Sequence, residues 1–151
     1  NIETVRSLYQ KLNRKPENYD VSMSVLNYAR TQNFITKTGV MVGLGETKEE
    51  VAQVMDDMRA ANIDFITIGQ YLQPTPKHAP VMKWWTPEEF ESLTKMAKAK
   101  GFSRVFLETN STLAPALHLY KQLGFKQVAF PYSSDYQRAD VYMEWQVDKP
   151  V

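Results

Sequence analysis

Two four-residue words, Thr47-Lys48-Glu49-Glu50 and Thr86-Pro87-Glu88-Glu89, constrain this chain more than any other feature. In each, the threonine hydroxyl can accept from the amide three residues on while the glutamate reaches back to the threonine amide, so each marks the first turn of a helix. Proline at the first helical position strengthens the second word, because the N–H it lacks would have been unpaired there. Behind the first word Val51, Val54, Met55 and Met58 recur on one helical face. Behind the second, Phe90, Leu93 and Met96 do the same until Gly101 offers a C-terminal cap. Helices over 48–60 and 87–100 follow, and whatever precedes each must turn sharply into it.

What precedes them reads as strand. Phe34 to Val42 is mostly apolar or β-branched and runs into Gly43-Leu44-Gly45, the form of a buried parallel strand leading to a tight loop. Asp64 to Tyr71 alternates and is rich in Phe, Ile and Thr, whereas Pro74, Pro76 and Pro80 then remove backbone donors and predict a long exposed loop. Beyond Gly101, strands are expected near 103–109, 126–130 and 139–147, with a helix over 112–123 closed by Gly124. Near the start, Ile2, Val5, Leu8, Tyr9 and Leu12 lie at helical spacing, and Val21 to Tyr28 repeats the pattern after Lys15-Pro16, predicting two short helices.

Strands alternating with helices imply right-handed βαβ units and a mostly parallel sheet. The last two strands are separated by too few residues for a parallel crossover, so strand 139–147 is expected to close the sheet as an antiparallel hairpin with the fourth. The fold expectation is therefore one α/β domain over residues 1–151, a layered sandwich with a mostly parallel five-stranded sheet. A chain of 151 residues, 43% hydrophobic, is long enough for one sizeable core and short for two.

Charge and composition exclude several function classes. Lys plus Arg is 18 against 17 Asp plus Glu, which gives no electrostatic reason to expect a nucleic-acid or membrane partner. No run approaches the roughly 18 apolar residues of a membrane span, and no signal-peptide pattern opens the chain. A soluble, cytoplasmic protein is expected, and Asn1 in place of Met suggests a trimmed or excised segment. The absence of cysteine rules out a disulfide, a thiolate nucleophile and a cysteine-held iron–sulfur cluster. His78 and His118 have no neighbouring motif to recruit them as ligands, so no metal is expected.

Residues 1 to about 100 resemble the C-terminal half of lipoyl synthase, a radical S-adenosylmethionine enzyme built on a partial (βα) barrel. The words that carry it are Asn1-Ile2-Glu3-Thr4-Val5, Thr36-Lys37-Thr38-Gly39-Val40-Met41-Val42-Gly43-Leu44-Gly45-Glu46-Thr47 and Ile68-Gly69-Gln70-Tyr71-Leu72-Gln73-Pro74. The resemblance implies that Gly43, Gly45 and Glu46 lie beside the adenosylmethionine, where glycines let backbone approach a nucleoside. As a turn alone, the same residues would be a tight strand-to-helix junction with a solvated carboxylate.

Residues from about Met96 to Val147 resemble the C-terminal part of the GNAT superfamily of acetyl-CoA-dependent N-acetyltransferases. Here the words are Leu107-Glu108-Thr109-Asn110, Ala114-Pro115-Ala116-Leu117-His118-Leu119-Tyr120-Lys121-Gln122-Leu123-Gly124-Phe125 and Arg138-Ala139-Asp140-Val141-Tyr142-Met143-Glu144, with the join between Lys95 and Ser103. The resemblance implies that Asn110 sits beside the cofactor's pantetheine arm, that Tyr120 protonates the departing CoA thiolate, and that strand 139–147 inserts antiparallel between the third and fourth strands, for a sheet order of 1-2-3-5-4. As structure alone, Asn110 is a helix N-cap or strand-end turn residue and Tyr120 a core or half-core residue.

Both apparent parents are transferases, yet the cluster cysteines of one and the glycine-spaced pyrophosphate loop of the other are missing. At the position of that loop stands Lys83-Trp84-Trp85-Thr86-Pro87-Glu88, whose Glu88 and Glu89 put carboxylates where a diphosphate would lie. The expectation is a recombined, engineered chimera with no inherited catalytic activity and no cofactor. Its alternatives are a rudimentary acetyl-CoA-binding domain or N-acetyltransferase, and a self-associating module whose partner is a second copy.

Overall fold

A computed structural model describes residues 1–102, 105–109, 111–112, 114–122, 124–130 and 140–145. The chain mixes helix and strand, in the order α1 (Glu17–Thr31), β1 (Lys37–Val42), α2 (Lys48–Ala60), β2 (Phe65–Gln70), α3 (Pro87–Ala99), β3 (Val105–Thr109), α4 (Ala114–Gln122), β4 (Phe125–Val128) and β5 (Val141–Trp145). It divides into two compact units, Asn1–Phe102 and Ser103–Val151, where a single domain was expected.

In the first unit β1 and β2 pair in parallel, Lys37 opposite Phe65 through Val42 opposite Gln70. Both capping boxes form: the Thr47 hydroxyl accepts from the Glu50 amide at 3.2 Å and the Glu50 carboxylate from the Thr47 amide at 2.8 Å, and Thr86 and Glu89 repeat the exchange. Ser7 donates to the same Glu50 carboxylate, and this bond is the main reason its carboxyl is held below the usual range. Helix α2 buries Val51, Val54, Met55 and Met58, and α3 buries Leu93 and Ala97, into one core with Val40, Val42 and Ile63.

The expected helix over residues 2–12 does not form. Glu3 bridges Val40 instead: its amide donates to the Gly39 carbonyl at 3.0 Å and its carbonyl accepts from the Met41 amide at 2.7 Å. Two 3-10 turns follow, Arg6–Leu8 and Gln10–Leu12. Ile2, Val5, Leu8 and Tyr9 still reach the core, because a segment along the open edge of β1 can aim the same side chains inward as a helix would. The second predicted helix, by contrast, extends on both sides to become α1.

The five-stranded sheet is a second correction. Among the described residues there are two small sheets, β1-β2 and β3-β5-β4. In the latter β5 lies antiparallel to both neighbours, Val105 opposite Trp145 and Phe125 opposite the same residue, which is the expected insertion. The missing element is pairing between β2 and β3. Gly101, at φ +90°, ends α3, and Phe102 turns back into the first core with the Arg59 guanidinium 5.1 Å from its ring, so the first unit closes before β3 begins. In the second unit Phe106 stacks on Tyr142 at 5.3 Å and Phe130 packs at 5.5 Å on the same ring, while Val141, Tyr142 and Met143 are buried in succession on the central strand. The hairpin residues Pro131, Ser133, Ser134 and Asp135 lie outside the described residues.

Candidate functional site

The loop that joins β1 to α2 is where the first resemblance places a nucleoside, and three features of its sequence decide its shape. Gly43 and Gly45 adopt φ of +106° and +110°, conformations costly for any side chain. At Gly43 space is closed as well: a Cβ there would collide with the Gln70 amide and stand 2.6 Å from the Lys83 carbonyl. At Gly45 it would meet only Met82 at ordinary contact distance. With the chain so bent, Glu46 points back beneath its own loop.

There Glu46 is 7% exposed and its carboxylate fully engaged. Its Oε1 accepts from the Gly43 amide at 2.6 Å and from the Trp85 indole N–H at 2.9 Å, and its Oε2 accepts from the Leu44 amide at 2.9 Å. The solvated carboxylate expected of a bare turn is therefore a buried one. A carboxylate withdrawn from water is tolerated when donors replace its hydration, and three converging N–H groups do so.

Trp85 lies beyond the predicted loop of residues 73–80, which is exposed save for the half-buried Ala79. The stretch that follows, residues 81–85, returns across the C-terminal ends of β1 and β2. Met82 and Lys83 amides donate to the Gly43 carbonyl at 2.8 and 3.3 Å. Gln70, at the end of β2, clasps the same stretch: its Nε2 donates to the Lys83 carbonyl at 3.1 Å and its Oε1 accepts from the Trp85 amide at 3.0 Å. Tyr71 donates its hydroxyl to the Ala79 carbonyl at 2.9 Å, fixing the beginning of the strap. Lys83 lies 4.3 Å over the Trp85 ring and 2.6 Å from Glu89, so the cation covers the indole and ties it to the first turn of α3.

That turn presents the two carboxylates noted in the sequence. Lys83 is the chief cause holding the Glu89 carboxyl below its usual range, ahead of the Thr86 amide, and the Thr86 hydroxyl does the same for Glu88. The helix terminus thus satisfies its amides with its own side chains.

No protein-family model matches the chain.

The structure gathers Gly43, Gly45 and Glu46 in one junction, and Tyr120 falls in the second unit. Tyr120 is half-buried, its ring edge-on to Phe125 at 6.1 Å, the packing expected of a half-core residue. Asn110 lies outside the described residues. Its neighbours show a different device: the Ser111 amide and hydroxyl donate to the two oxygens of Asp140 at 2.6 and 2.5 Å, joining the start of α4 to the start of β5. His78 sits in a tight turn with Thr75, 2.9 Å from its hydroxyl, and no group of metal-ligating side chains occurs among the described residues.

Gln70 and Trp85 were not singled out as partners of the glycine loop. Adjacent Trp84 and Trp85 read alike in sequence, yet Trp84 is exposed and Trp85 buried. The available signal is chemical: a buried indole N–H needs an acceptor, and the carboxylate of Glu46 at the loop's end can supply one.

Proposed function

We propose that the chain is a non-catalytic folding scaffold, a recombined chimera in which the nucleoside-side loop of one parent has become a structural latch. The observation that carries this is the Glu46 carboxylate, whose three hydrogen bonds all come from the chain itself at the strand ends where an α/β protein would receive a ligand. A nucleoside entering there has to lift Met82, Lys83 and Trp85 and leave the Gly43 carbonyl and Gln70 without partners. Each such bond contributes about 1 kcal/mol net, more where the group left behind is charged, so binding begins at a deficit of several kcal/mol. The chemistry points the same way: the sequence has no thiolate to hold a cluster, and Glu88 and Glu89 occupy the N-terminus of α3.

Calorimetric titration with acetyl-CoA and, separately, with adenosylmethionine tests the reading. The expected result is no saturable heat from either ligand at millimolar concentration. Saturable acetyl-CoA binding that disappears in the Tyr120→Phe, Asn110→Ala double variant would overturn it in favour of a surviving acetyltransferase site. Saturable adenosylmethionine binding would overturn it at the latch.

A further inference from the structure

Helix α1 has two apolar stripes. Tyr19, Met23 and Leu26, spaced i, i+4, i+7, face the core of the first unit. Val21, Val25 and Tyr28 repeat that spacing two residues later, a rotation of about 200° at 3.6 residues per turn, which sets them on the opposite side. Together with Phe34 and Ile35, which follow the helix after Gln32 and Asn33, they are 58% to 78% exposed. The polar residues sharing the outward stripe, Glu17, Ser24 and Gln32, are also exposed. Asp20 falls to its side, where it pairs with Arg6, and Arg30 continues the core-facing stripe, where it pairs with Asp64.

We infer that the outward stripe of α1 is the contact surface of a symmetric homodimer in which α1 packs antiparallel against α1 of a second copy. The order of side chains is self-complementary about a two-fold axis between Ser24 and Val25. Val21 then stands opposite Tyr28 of the second copy, so small meets large, and Val25 stands opposite Ser24. Ser24 turns its hydroxyl back to the Asp20 carbonyl at 2.8 Å, which leaves its Cβ side free for the valine. The same axis sets the Glu17 carboxylate opposite the Gln32 amide, an acceptor against a donor, with the helix dipoles opposed. A parallel arrangement would instead oppose Glu17 to Glu17, which like charges disfavour. An anionic lipid surface is a poor alternative, since such helices flank their apolar face with lysine and arginine and this one is flanked by Glu17 and Asp20.

Size fits a weak dimer. With roughly 150–250 Å² for each aromatic side chain and less for the aliphatics, the stripe and the two residues beyond it offer on the order of 500 Å² per copy. Twice that lies at the lower bound of a specific interface, so dissociation in the micromolar range or weaker follows. Association is independent of whether the glycine loop is a latch, because the stripe lies on the face of α1 away from the core.

Sedimentation velocity on the full chain from low micromolar to near-millimolar concentration tests the inference. The expected result is a monomer–dimer equilibrium that Val25→Glu and Tyr28→Glu each weaken at least tenfold while the far-ultraviolet spectrum and melting temperature hold. Because the chain has no cysteine, single replacements report orientation cleanly. Val25→Cys should link to itself under mild oxidation, and Glu17→Cys should link to Gln32→Cys in a mixture but not to itself. A monomer at every concentration overturns the proposal, as does a monomer whose α1 outward face proves covered by the second unit. A dimer indifferent to both glutamate variants overturns the surface, and self-linking of Glu17→Cys overturns the orientation.

Discussion

Two strand-to-helix junctions in this chain are bound by a carboxylate, and they do so in opposite surroundings. After β1, Glu46 is buried and takes donors from its own loop and from an indole 39 residues on. After β3, Asp140 is exposed and takes both donors from Ser111. The bonds are of similar length and both carboxylates accept backbone amides. What differs is the alternative open to each group when its bond breaks: water replaces the partner at once at Ser111, and cannot at Glu46 without lifting the strap. The comparison separates hydrogen bonds that hold a fold from those that decorate it.

The largest effect should follow removal of the buried carboxylate. Glu46→Ala leaves the Gly43 and Leu44 amides and the Trp85 indole without an acceptor beneath the strap, and each stranded donor costs about 1–3 kcal/mol. A loss of about 4 kcal/mol in urea-derived stability is expected, with a red shift of the Trp85 emission as the strap loosens. If Glu46→Ala unfolds at the parent's urea midpoint, the carboxylate is ornamental and the contrast between the junctions collapses.

Next come the two glycines, which sharpen the comparison within one loop. Gly43→Ala adds a methyl that strikes the Gln70 amide at a residue with φ +106°, so backbone strain and loss of the clasp act together and about 3 kcal/mol is expected. Gly45→Ala meets only van der Waals contact with Met82, leaving the strain alone at about 1–2 kcal/mol. The ordering is the test, read from denaturant midpoints. Equal losses would mean that the strap does not press on Gly43.

The sequence announced these junctions unevenly because it records local chemistry best. Both capping boxes are complete within four residues, and helices α2 and α3 begin where Thr47 and Thr86 place them. The antiparallel pairing of β5 with β4 was also legible, since a short connection leaves an antiparallel return as the available path, whereas its place beside β3 was expected only from the resemblance. The first eleven apolar-patterned residues misled, because Ile2, Val5 and Leu8 reach the core equally well from a strand-edge segment whose Glu3 backbone completes β1. Gly43, Gly45 and Glu46 were visible as a tight loop, but the purpose of Glu46 depends on Trp85 and on the Gln70 clasp, and no local pattern encodes a partner that distant. Pairing of β2 with β3 failed for the same reason, being a choice between non-local neighbours.

A moderate effect is expected from pH at the start of β1. Asp64 accepts from the Thr36 amide at 2.8 Å, the main cause that holds its carboxyl below the usual range, with the Thr36 hydroxyl and Arg30 adding to it. Because the folded pKa is the lower one, the bond stabilises fully above the unfolded value near ~3.9 and fades as pH falls through the folded value. Asp64→Asn should therefore lower the urea midpoint at neutral pH, where the bond contributes fully, and flatten its decline below about pH 4, so that variant and parent converge in acid. An unchanged acid limb would assign the decline to other carboxylates.

The smallest effect belongs to the exposed junction, and its smallness is the point. Asp140 is likewise held below the carboxylate range, first by the Ser111 hydroxyl and then by the Ser111 amide, so the sign of its pH dependence matches that of Asp64. Exposure changes the size, because water solvates the carboxylate and the serine in either state. Asp140→Ala should leave the global urea midpoint where it was and speed hydrogen exchange at the Ser111 amide alone, since local opening there does not require the core to open. Should Asp140→Ala instead lower the midpoint by as much as Glu46→Ala, the two carboxylates would be equivalent, and burial would not be what distinguishes a latch from a surface bond.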